Sequence, residues 1–232
     1  MITIHDEEFG DITVRRYATS RSVRIKTGTD GRLMVSAPTL VPLFLIKRSI
    51  EASRVDLRKH LSDATPPIIY TDGHVVGKSH SIALVNTGMV KQPTIQTKGQ
   101  KILVLLPENS SITDPAIQRD IRDSVIKALR VEAKAYLPRR LKSLAQENGF
   151  YYDKVRFSHA ISRWGSCSSS GTISLNIALM KLPHELIDYV LIHELSHTRH
   201  MDHSPAFWKE VEQYDPHYRL HRRQIKRETP TV

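Results

Sequence analysis

The sequence predicts a mixed α+β protein, in which a β-rich amino-terminal part with one inserted helix precedes a helix-rich carboxyl-terminal part. In the first part, short segments alternate apolar and polar side chains and are separated by Asp-Gly turns. After Thr113, apolar residues recur at helical spacing instead. An apolar fraction of 40% in 232 residues is enough for a buried core. We place the boundary near residue 110, which gives parts 1–110 and 111–232.

The amino-terminal part is predicted to contain strands, turns and one helix. The segments "ITVRRYA" and "RSVRIKT" alternate with a period of two, and "TGTDGRLMVSA" is typical of a hairpin around Asp30-Gly31. Residues 41–61 carry apolar side chains at helical spacing, which predicts a helix. A second turn is expected at Asp72-Gly73, and strands are expected at "HSIALVN" and "KILVLLP".

The carboxyl-terminal part is predicted to begin with a long helix. Thr113 or Asp114 can cap it, and Pro115 suits its first turn because the first N–H groups of a helix have no partner within it. Pro138 is expected to kink or break this helix, and Gly149 to end it. Strands are predicted at "KVRFSHA" and "TISLNIAL", on either side of a Gly/Ser-rich turn. Three closing helices are predicted at about 183–199, 205–214 and 216–228.

The overall charge of the chain favours an anionic partner. A net charge of +10 fits a nucleic acid, a nucleotide or an acidic peptide. The single cysteine, Cys167, excludes an internal disulfide and fits a reducing cytoplasm. The start "MITIHDEEFG" lacks the positive and apolar regions of a signal peptide, and the longest apolar run, 40–46, is too short to span a membrane. We therefore predict a cytoplasmic protein without a membrane partner, and the sequence indicates no oligomeric state.

The segment "VLIHELSHTRHMDHSPAFW", residues 190–208, is unusually rich in histidine. A helix is expected from Pro183, with His193 and His197 on one face of it. This helix is so apolar around residues 189–192 that most of it should be buried, and a buried imidazole needs a partner. A zinc ion would supply that partner, because two imidazoles at positions i and i+4 can share one tetrahedral ion.

Glu194 completes the pattern H-E-x-x-H. Its side chain points about a quarter-turn away from His193, so it can reach a zinc-bound water without binding the zinc. Zinc lowers the pKa of that water, and the carboxylate takes its proton as the water attacks. The sequence therefore predicts a zinc hydrolase site, with one zinc per chain and Glu194 as the catalytic base.

A catalytic zinc of this kind requires a third protein ligand, for which the segment offers two histidines. His200 lies too far along the helix axis to complete a tetrahedron around an ion held by the first two. His203 is better placed if the chain turns back at Met201-Asp202, where Asp tolerates a positive φ. Ser204 would then cap a following helix that Pro205 starts. Three weaker candidates are Glu210, Glu212 and His217.

A second motif, "SRWGSCSSSG" at residues 162–171, has two interpretations. It is either a turn whose glycines and serines provide backbone freedom, or the rim of a substrate site. In the second case Trp164 forms a wall, Arg163 contacts an anion, and Ser166 contributes to substrate binding through donors of the turn. Cys167 is interpreted as a small buried residue, because three histidines already suffice for the metal.

The two motifs together resemble the YgjP-like metallopeptidase family, a zincin-type group long described as a domain of unknown function. The resemblance also includes "DGRLMVSAP" at 30–38 and "LPHELIDYVLIHELSHTRHMDHSPAFWKEVE", so it covers nearly the whole chain. It implies a minimal zincin-like core behind a β-rich amino-terminal part. It also implies His193, His197 and His203 as metal ligands and Glu194 as base. The spacing is similar to that of SprT-like proteases, but His200 stands where metzincins carry glycine.

Three functions remain open from the sequence. The first is a zinc-dependent metallopeptidase acting on a peptide substrate. The second is a zinc-dependent nucleoside triphosphate pyrophosphohydrolase, which the excess of cations would suit, although the sequence has no Walker-type loop. The third is a nucleic-acid-associated module with a structural metal. Basic stretches such as "YRLHRRQIKRE" are compatible with nucleic acid, but no aromatic residues are interleaved as in a base-stacking platform.

Overall fold

The structure is a computed structural model that describes residues 2–6, 9–27, 33–57, 68–160 and 163–232. By its contacts the chain divides into two compact units, Met1–Ile68 and Ile69–Val232. The division falls before the predicted boundary near residue 110, because a second sheet belongs with the long helix of the larger unit. Glu132 of that helix accepts hydrogen bonds from the backbone N–H groups of Lys78 and Ser79, at 2.7 and 3.0 Å.

Among its described residues, the smaller unit has a four-stranded sheet, one ten-residue helix and a further helical stretch at 54–57. Its strands are β1 (Ile2–Asp6), β2 (Gly10–Tyr17), β3 (Arg24–Thr27) and β4 (Leu33–Pro38), in the order β1-β2-β4-β3. Apolar side chains alternate along these strands, and they form a core with Ile46 and Ile50 of helix α1 (Leu43–Ala52). The helix predicted at 41–61 is interrupted: α1 begins after Pro42 and is capped at Ser53, and helical residues resume at 54–57. Residues 58–61 lie outside the described residues. The predicted Asp30-Gly31 turn lies outside the described residues, although β3 and β4 on either side of it pair antiparallel.

The larger unit begins with a second four-stranded sheet. Its strands are β5 (Val75–Val76), β6 (His80–Asn86), β7 (Thr94–Lys98) and β8 (Lys101–Leu106), in the order β5-β6-β8-β7. The predicted turn at Asp72-Gly73 is present, and Gly73 has a φ of 74°, which glycine adopts without steric cost. Several strands of this sheet contact the long helix that follows.

The long helix α2 spans Pro115–Glu147. Asp114 is its N-cap and accepts hydrogen bonds from Ala116 N and Ile117 N. The predicted break at Pro138 is wrong, because the helix continues through this residue. Leu137 and Leu141 on either side of the proline are fully buried, so packing of the helix against the core outweighs the lost backbone hydrogen bond. The helix ends at Asn148, followed by Gly149 with a φ of 64°, as predicted.

The last part of the chain combines a small sheet with three helices. Strands β9 (Lys154–Ser158), β10 (Gly165–Cys167) and β11 (Thr172–Asn176) are ordered β10-β11-β9, and a 3-10 helix follows at Ile177–Lys181. The helices are α3 (His184–Ser196), α4 (Pro205–Tyr214) and α5 (Tyr218–Ile225). None of the helices in the described part of the chain is long and apolar enough to cross a membrane.

Candidate metal centre

Helix α3 carries His193 and Glu194 and ends immediately before His197. It begins at His184 with Pro183 as its N-cap, one position outside the first turn in which the sequence placed this proline. Most of its residues are buried, including Leu191 and Leu195 at 0% exposure. The helix is therefore a rigid element of the core, and it holds its polar side chains in fixed directions.

Three histidine rings converge at the end of α3. The Nε2 atom of His193 lies 3.2 Å from Nε2 of His197 and 3.3 Å from Nε2 of His203. Two ligand nitrogens on one tetrahedral zinc, each about 2.0–2.1 Å from it, would be about 3.4 Å apart. The ring nitrogens of all three residues lie within 4.8 Å of one another, so the set could hold one metal ion.

The turn after α3 brings His203 back to the other two histidines. Asp202 accepts a hydrogen bond from Ser204 N at 3.3 Å, and the Ser204 hydroxyl accepts one from Phe207 N at 3.4 Å, which caps α4. Pro205 starts α4, as predicted. The suggested positive φ at Asp202 is wrong, because positive φ values occur only at glycines among the described residues.

Two aromatic residues of α4 pack against the histidine rings. Phe207 is fully buried and stacks on His197 with ring centroids 4.4 Å apart. Trp208 stacks on His203 with ring centroids 5.6 Å apart, and the guanidinium carbon of Arg222 lies 4.2 Å from the centroid of the Trp208 ring. Sequence reasoning missed these supports, although an aromatic pair four and five residues after a candidate ligand is a visible signal.

Backbone contacts fix the orientation of the His197 ring. Its Nδ1 lies 2.9 Å from the carbonyl oxygen of His200, so Nδ1 carries the proton and donates it, which leaves the Nε2 lone pair free. The side chain of His200 points elsewhere, with Nε2 3.7 Å from Glu210. His200 therefore supports the cluster through its backbone, while its ring lies outside the convergent set. Glu210, one of the weaker ligand candidates, is engaged with His200 and Arg199 instead.

Burial keeps His193 and His197 neutral. The pKa of His193 is lowered to about 3, mainly by burial and in addition by the neighbouring rings of His197 and His203. Burial also lowers the pKa of His197. The Nδ1 atom of His193 is buried without a hydrogen-bond partner among the described residues. Neutral imidazoles with free lone pairs are the form that binds a metal, so the residues present fit a zinc ion.

Glu194 is a buried carboxyl group beside this cluster. It is 5% exposed, and its Oε2 atom has no hydrogen-bond partner among the described residues. Burial raises its pKa to about 8, and the positive charge of Arg163 partly offsets this. A buried group of this kind gains from a cation or a water nearby, and a strongly perturbed carboxyl group in a site is typical of an acid–base catalyst.

Gly165 of β10 makes room for Glu194. A Cβ atom at this position would lie 2.6 Å from Glu194 Oε1 and 2.7 Å from its Cγ, which is closer than real Cβ atoms approach. The glycine of "SRWGSCSSSG" is therefore explained by a close approach, and the motif forms one wall of the site. The sequence interpretations of the motif treated its glycines as a source of backbone freedom or as amide donors to a substrate, and they missed this contact.

Other residues of the motif lie in strand β10 or directly before it. Arg163 is exposed and acts on Glu194 through its charge, while Trp164 is half-buried. Because side chains alternate along a strand, Ser166 points to the face opposite that of Gly165. Cys167 is half-buried rather than buried, and burial together with the charge of Glu194 raises the pKa of its thiol to about 11. Cys167 is therefore a neutral thiol on the same face as Gly165.

Replacing Gly165 by alanine should lower turnover without removing metal. The added methyl group must displace the Glu194 carboxyl, and a misplacement of about 1 Å in a catalytic group typically costs about a hundredfold in rate. Steady-state kinetics and elemental analysis of Gly165→Ala would measure both quantities. Gly88→Ala is a matched control, since the nearest atom to its new Cβ would be 3.7 Å away. Wild-type turnover in Gly165→Ala would mean that the position of Glu194 is not critical.

Comparisons with known proteins agree with this site. A family model described as "YgjP-like, metallopeptidase domain" matches residues 21–228. A comparison with curated proteins finds no match. Two solved structures are similar to parts of the chain, both described as metallopeptidase zymogens. Abylysin of Pyrococcus abyssi is 30% identical over 38% of this chain and 90% of its own, with a TM-score of 0.35. Jannalysin of Methanocaldococcus jannaschii is 18% identical over 39% of this chain and 93% of its own, also with a TM-score of 0.35.

The family match includes both the β-rich smaller unit from residue 21 onward and the histidine cluster. It agrees with the resemblance drawn from the motifs, and it supports a hydrolase of the peptidase type with a metal in its site. The convergent histidines supply three ring nitrogens for that metal. The chain belongs to the YgjP-like metallopeptidase family.

Proposed function

We propose that the protein is a zinc-dependent metallopeptidase, in which His193, His197 and His203 hold one zinc ion and Glu194 is the catalytic base. The observation that carries this proposal is the convergence of three imidazole ring nitrogens beside a buried carboxyl group whose Oε2 atom has no hydrogen-bond partner among the described residues. Metallopeptidase family membership narrows the reaction to hydrolysis. Zinc is favoured over other ions because three imidazoles are a common ligand set of catalytic zinc.

Zinc and the side chains of the protein would supply different parts of the reaction. When bound, zinc acts as a Lewis acid that lowers the pKa of water and polarises the scissile carbonyl. Glu194 takes the proton of the attacking water and then delivers it to the leaving amine nitrogen. Its burial suits both steps, because a pKa near neutrality lets one carboxyl group accept and release a proton. Phe207 and Trp208 hold the histidine rings in place during the reaction.

Strand β10 offers a place for an extended peptide. Asn176 N donates to Trp164 O at 2.8 Å and Ser168 N donates to Thr172 O at 3.0 Å, so these residues face β11. In an antiparallel pair the residues between them, Gly165 and Cys167, direct their N–H and C=O groups to the other side. No described strand pairs with that side of β10. A substrate strand added there would lie beside Glu194.

Hydrolysis of a nucleotide phosphoanhydride is the second candidate, and the charges near the site are the observation in its favour. Arg163 lies close enough to affect the pKa of Glu194, and Arg222 that of His193. A triphosphate would be attracted by both cations. The third possibility, a structural metal, is disfavoured because a structural site would not require a buried carboxyl group such as Glu194 next to its ligands.

The two hydrolases differ in their dependence on Arg163 and on salt. For a peptidase that binds by backbone pairing, Arg163→Ala should leave the Michaelis constant for casein nearly unchanged, and higher ionic strength should have a modest effect. For a nucleotide hydrolase, the same variant should raise the Michaelis constant, and salt should weaken binding strongly. Zinc-loaded protein is incubated with casein and with each nucleoside triphosphate, and Glu194→Gln serves as the blank. Arg156→Ala, an exposed arginine on β9, is the matched control.

We expect peptide cleavage that depends on Glu194, with a Michaelis constant that is the same in Arg163→Ala and in Arg156→Ala. Release of phosphate or pyrophosphate that depends on Glu194, without peptide cleavage, would overturn the peptidase in favour of the nucleotide hydrolase.

A further inference from the structure

The outward face of the smaller unit's sheet is a cationic surface. The register aligns Arg15 of β2, Ser36 of β4 and Arg24 of β3 in one row across three strands. Lys26 follows Arg24 on the same face, since residues two apart on a strand point the same way. The residues that alternate with these on β3 and β4, such as Ile25 and Val35, are apolar and pack in the core with helix α1. The fold therefore forces these cations toward solvent.

A depression of about 400 Å³ lies in this surface. Its walls include the cations Arg21, Arg24 and Lys26, the ring of Tyr17 and the hydroxyl of Ser36. Tyr17 is 44% exposed, so much of its ring is open to solvent. The depression thus combines several positive charges with one accessible aromatic surface.

The charges of this surface have no ionic partner among the residues that the structure describes. Arg15, Arg21, Arg24 and Lys26 are exposed, and none of them forms an ion pair or a side-chain hydrogen bond with another described residue. Arg16 shows the contrast, because it points to the other face and donates to the carbonyl oxygens of Thr39 and Val41 at 2.6 and 2.7 Å. Arg16 stabilises the fold, whereas the other four cations have no such role in the structure.

The spacing of these cations favours a polymeric anion. Neighbouring strands are about 4.8 Å apart, so Arg15 and Arg24, separated by β4, lie on strands about 10 Å apart. Lys26 is a further two residues along β3, or about 7 Å. One phosphate cannot contact all of them, but a chain of phosphates can. A single strand fits better than a duplex, because its unpaired bases can stack on an exposed tyrosine.

We propose that this face binds single-stranded nucleic acid, with backbone phosphates on Arg15, Arg21, Arg24 and Lys26 and a base against Tyr17. The proposal is independent of the proposed peptidase activity, because it uses none of the residues of the metal centre. It gives the chain a second binding site, and it accounts for cations that neither the fold nor the hydrolytic site uses.

The test is fluorescence anisotropy of a labelled oligothymidylate titrated with the full-length protein across a series of salt concentrations. If four phosphates are contacted, log K should fall against log salt with a slope of about −3, since each contact on a single strand contributes about −0.7. Arg24→Gln combined with Lys26→Gln should reduce that slope by about 1.4 and weaken binding roughly tenfold or more at low salt. Tyr17→Leu should weaken binding roughly fivefold or more and leave the slope unchanged.

Lys91→Gln combined with Lys98→Gln is the matched control, because it removes the same charge from exposed residues of the larger unit. This control should bind as the wild type does. Equal losses in both double variants would overturn the proposal, since binding would then follow net charge alone. The absence of oligonucleotide binding at low salt would also overturn the proposal. The same holds if phosphatidylserine vesicles, tested as a second probe, bind to this face and the oligonucleotide does not.

Discussion

Replacing Glu194 by glutamine should leave the fold and the bound zinc intact and reduce hydrolysis by about a hundred- to ten-thousandfold. The two side chains have nearly the same shape, so the space above Gly165 stays filled. A carboxamide cannot take a proton from the attacking water, and the loss should therefore appear in kcat. Steady-state cleavage of a peptide substrate, with zinc measured on the same sample, tests this expectation.

Glu185→Gln is the control for that experiment. Glu185 lies in the first turn of the same helix and is exposed, so its substitution removes the same charge away from the metal centre. We expect wild-type turnover in this variant. Wild-type turnover in Glu194→Gln would contradict the role of Glu194, whichever bond the enzyme hydrolyses.

Replacing His203 by alanine should remove most of the bound zinc, whereas His200→Ala should retain it. Only the ring of His203 converges with those of His193 and His197, at 3.3 Å from the former. The contribution of His200 is its backbone carbonyl, which alanine keeps. Catalytic zinc with three protein ligands loses a third of its protein donors in His203→Ala. Elemental analysis after dialysis, with circular dichroism to check the fold, compares the two variants.

Equal zinc content in His203→Ala and His200→Ala would contradict the assignment of the third ligand. Glu212 and His217 would then be the remaining candidates from the sequence, although neither lies in the convergent set among the described residues.

Much of this centre was predictable because its signals are local in sequence. His193 and Glu194 lie in the last turn of helix α3 and His197 is its C-cap with helical backbone angles, so helical spacing sets their directions. The position of His203 beside the other two histidines was predicted from a short turn and from the Ser-Pro pair that starts α4. Strand alternation likewise accounts for the burial of Leu33, Val35 and Ala37, which share one face of β4.

What the sequence did not predict depends on contacts between distant segments. The need for glycine at position 165 arises only when β10 lies against Glu194. Helix α2 continues through Pro138 because buried neighbours hold it, which local propensity does not include. In each case tertiary packing outweighs a local preference.

X-ray absorption spectroscopy at the zinc edge of the zinc-loaded protein tests the central claim most directly, because it counts and identifies the ligands. The account predicts three nitrogen neighbours at about 2.0–2.1 Å and one oxygen from solvent, with one nitrogen fewer in His203→Ala. Cys167, whose thiol is neutral, should contribute no sulfur signal. A closed site with four protein ligands, including a sulfur at about 2.3 Å, would indicate a structural metal and contradict the catalytic centre proposed for this chain.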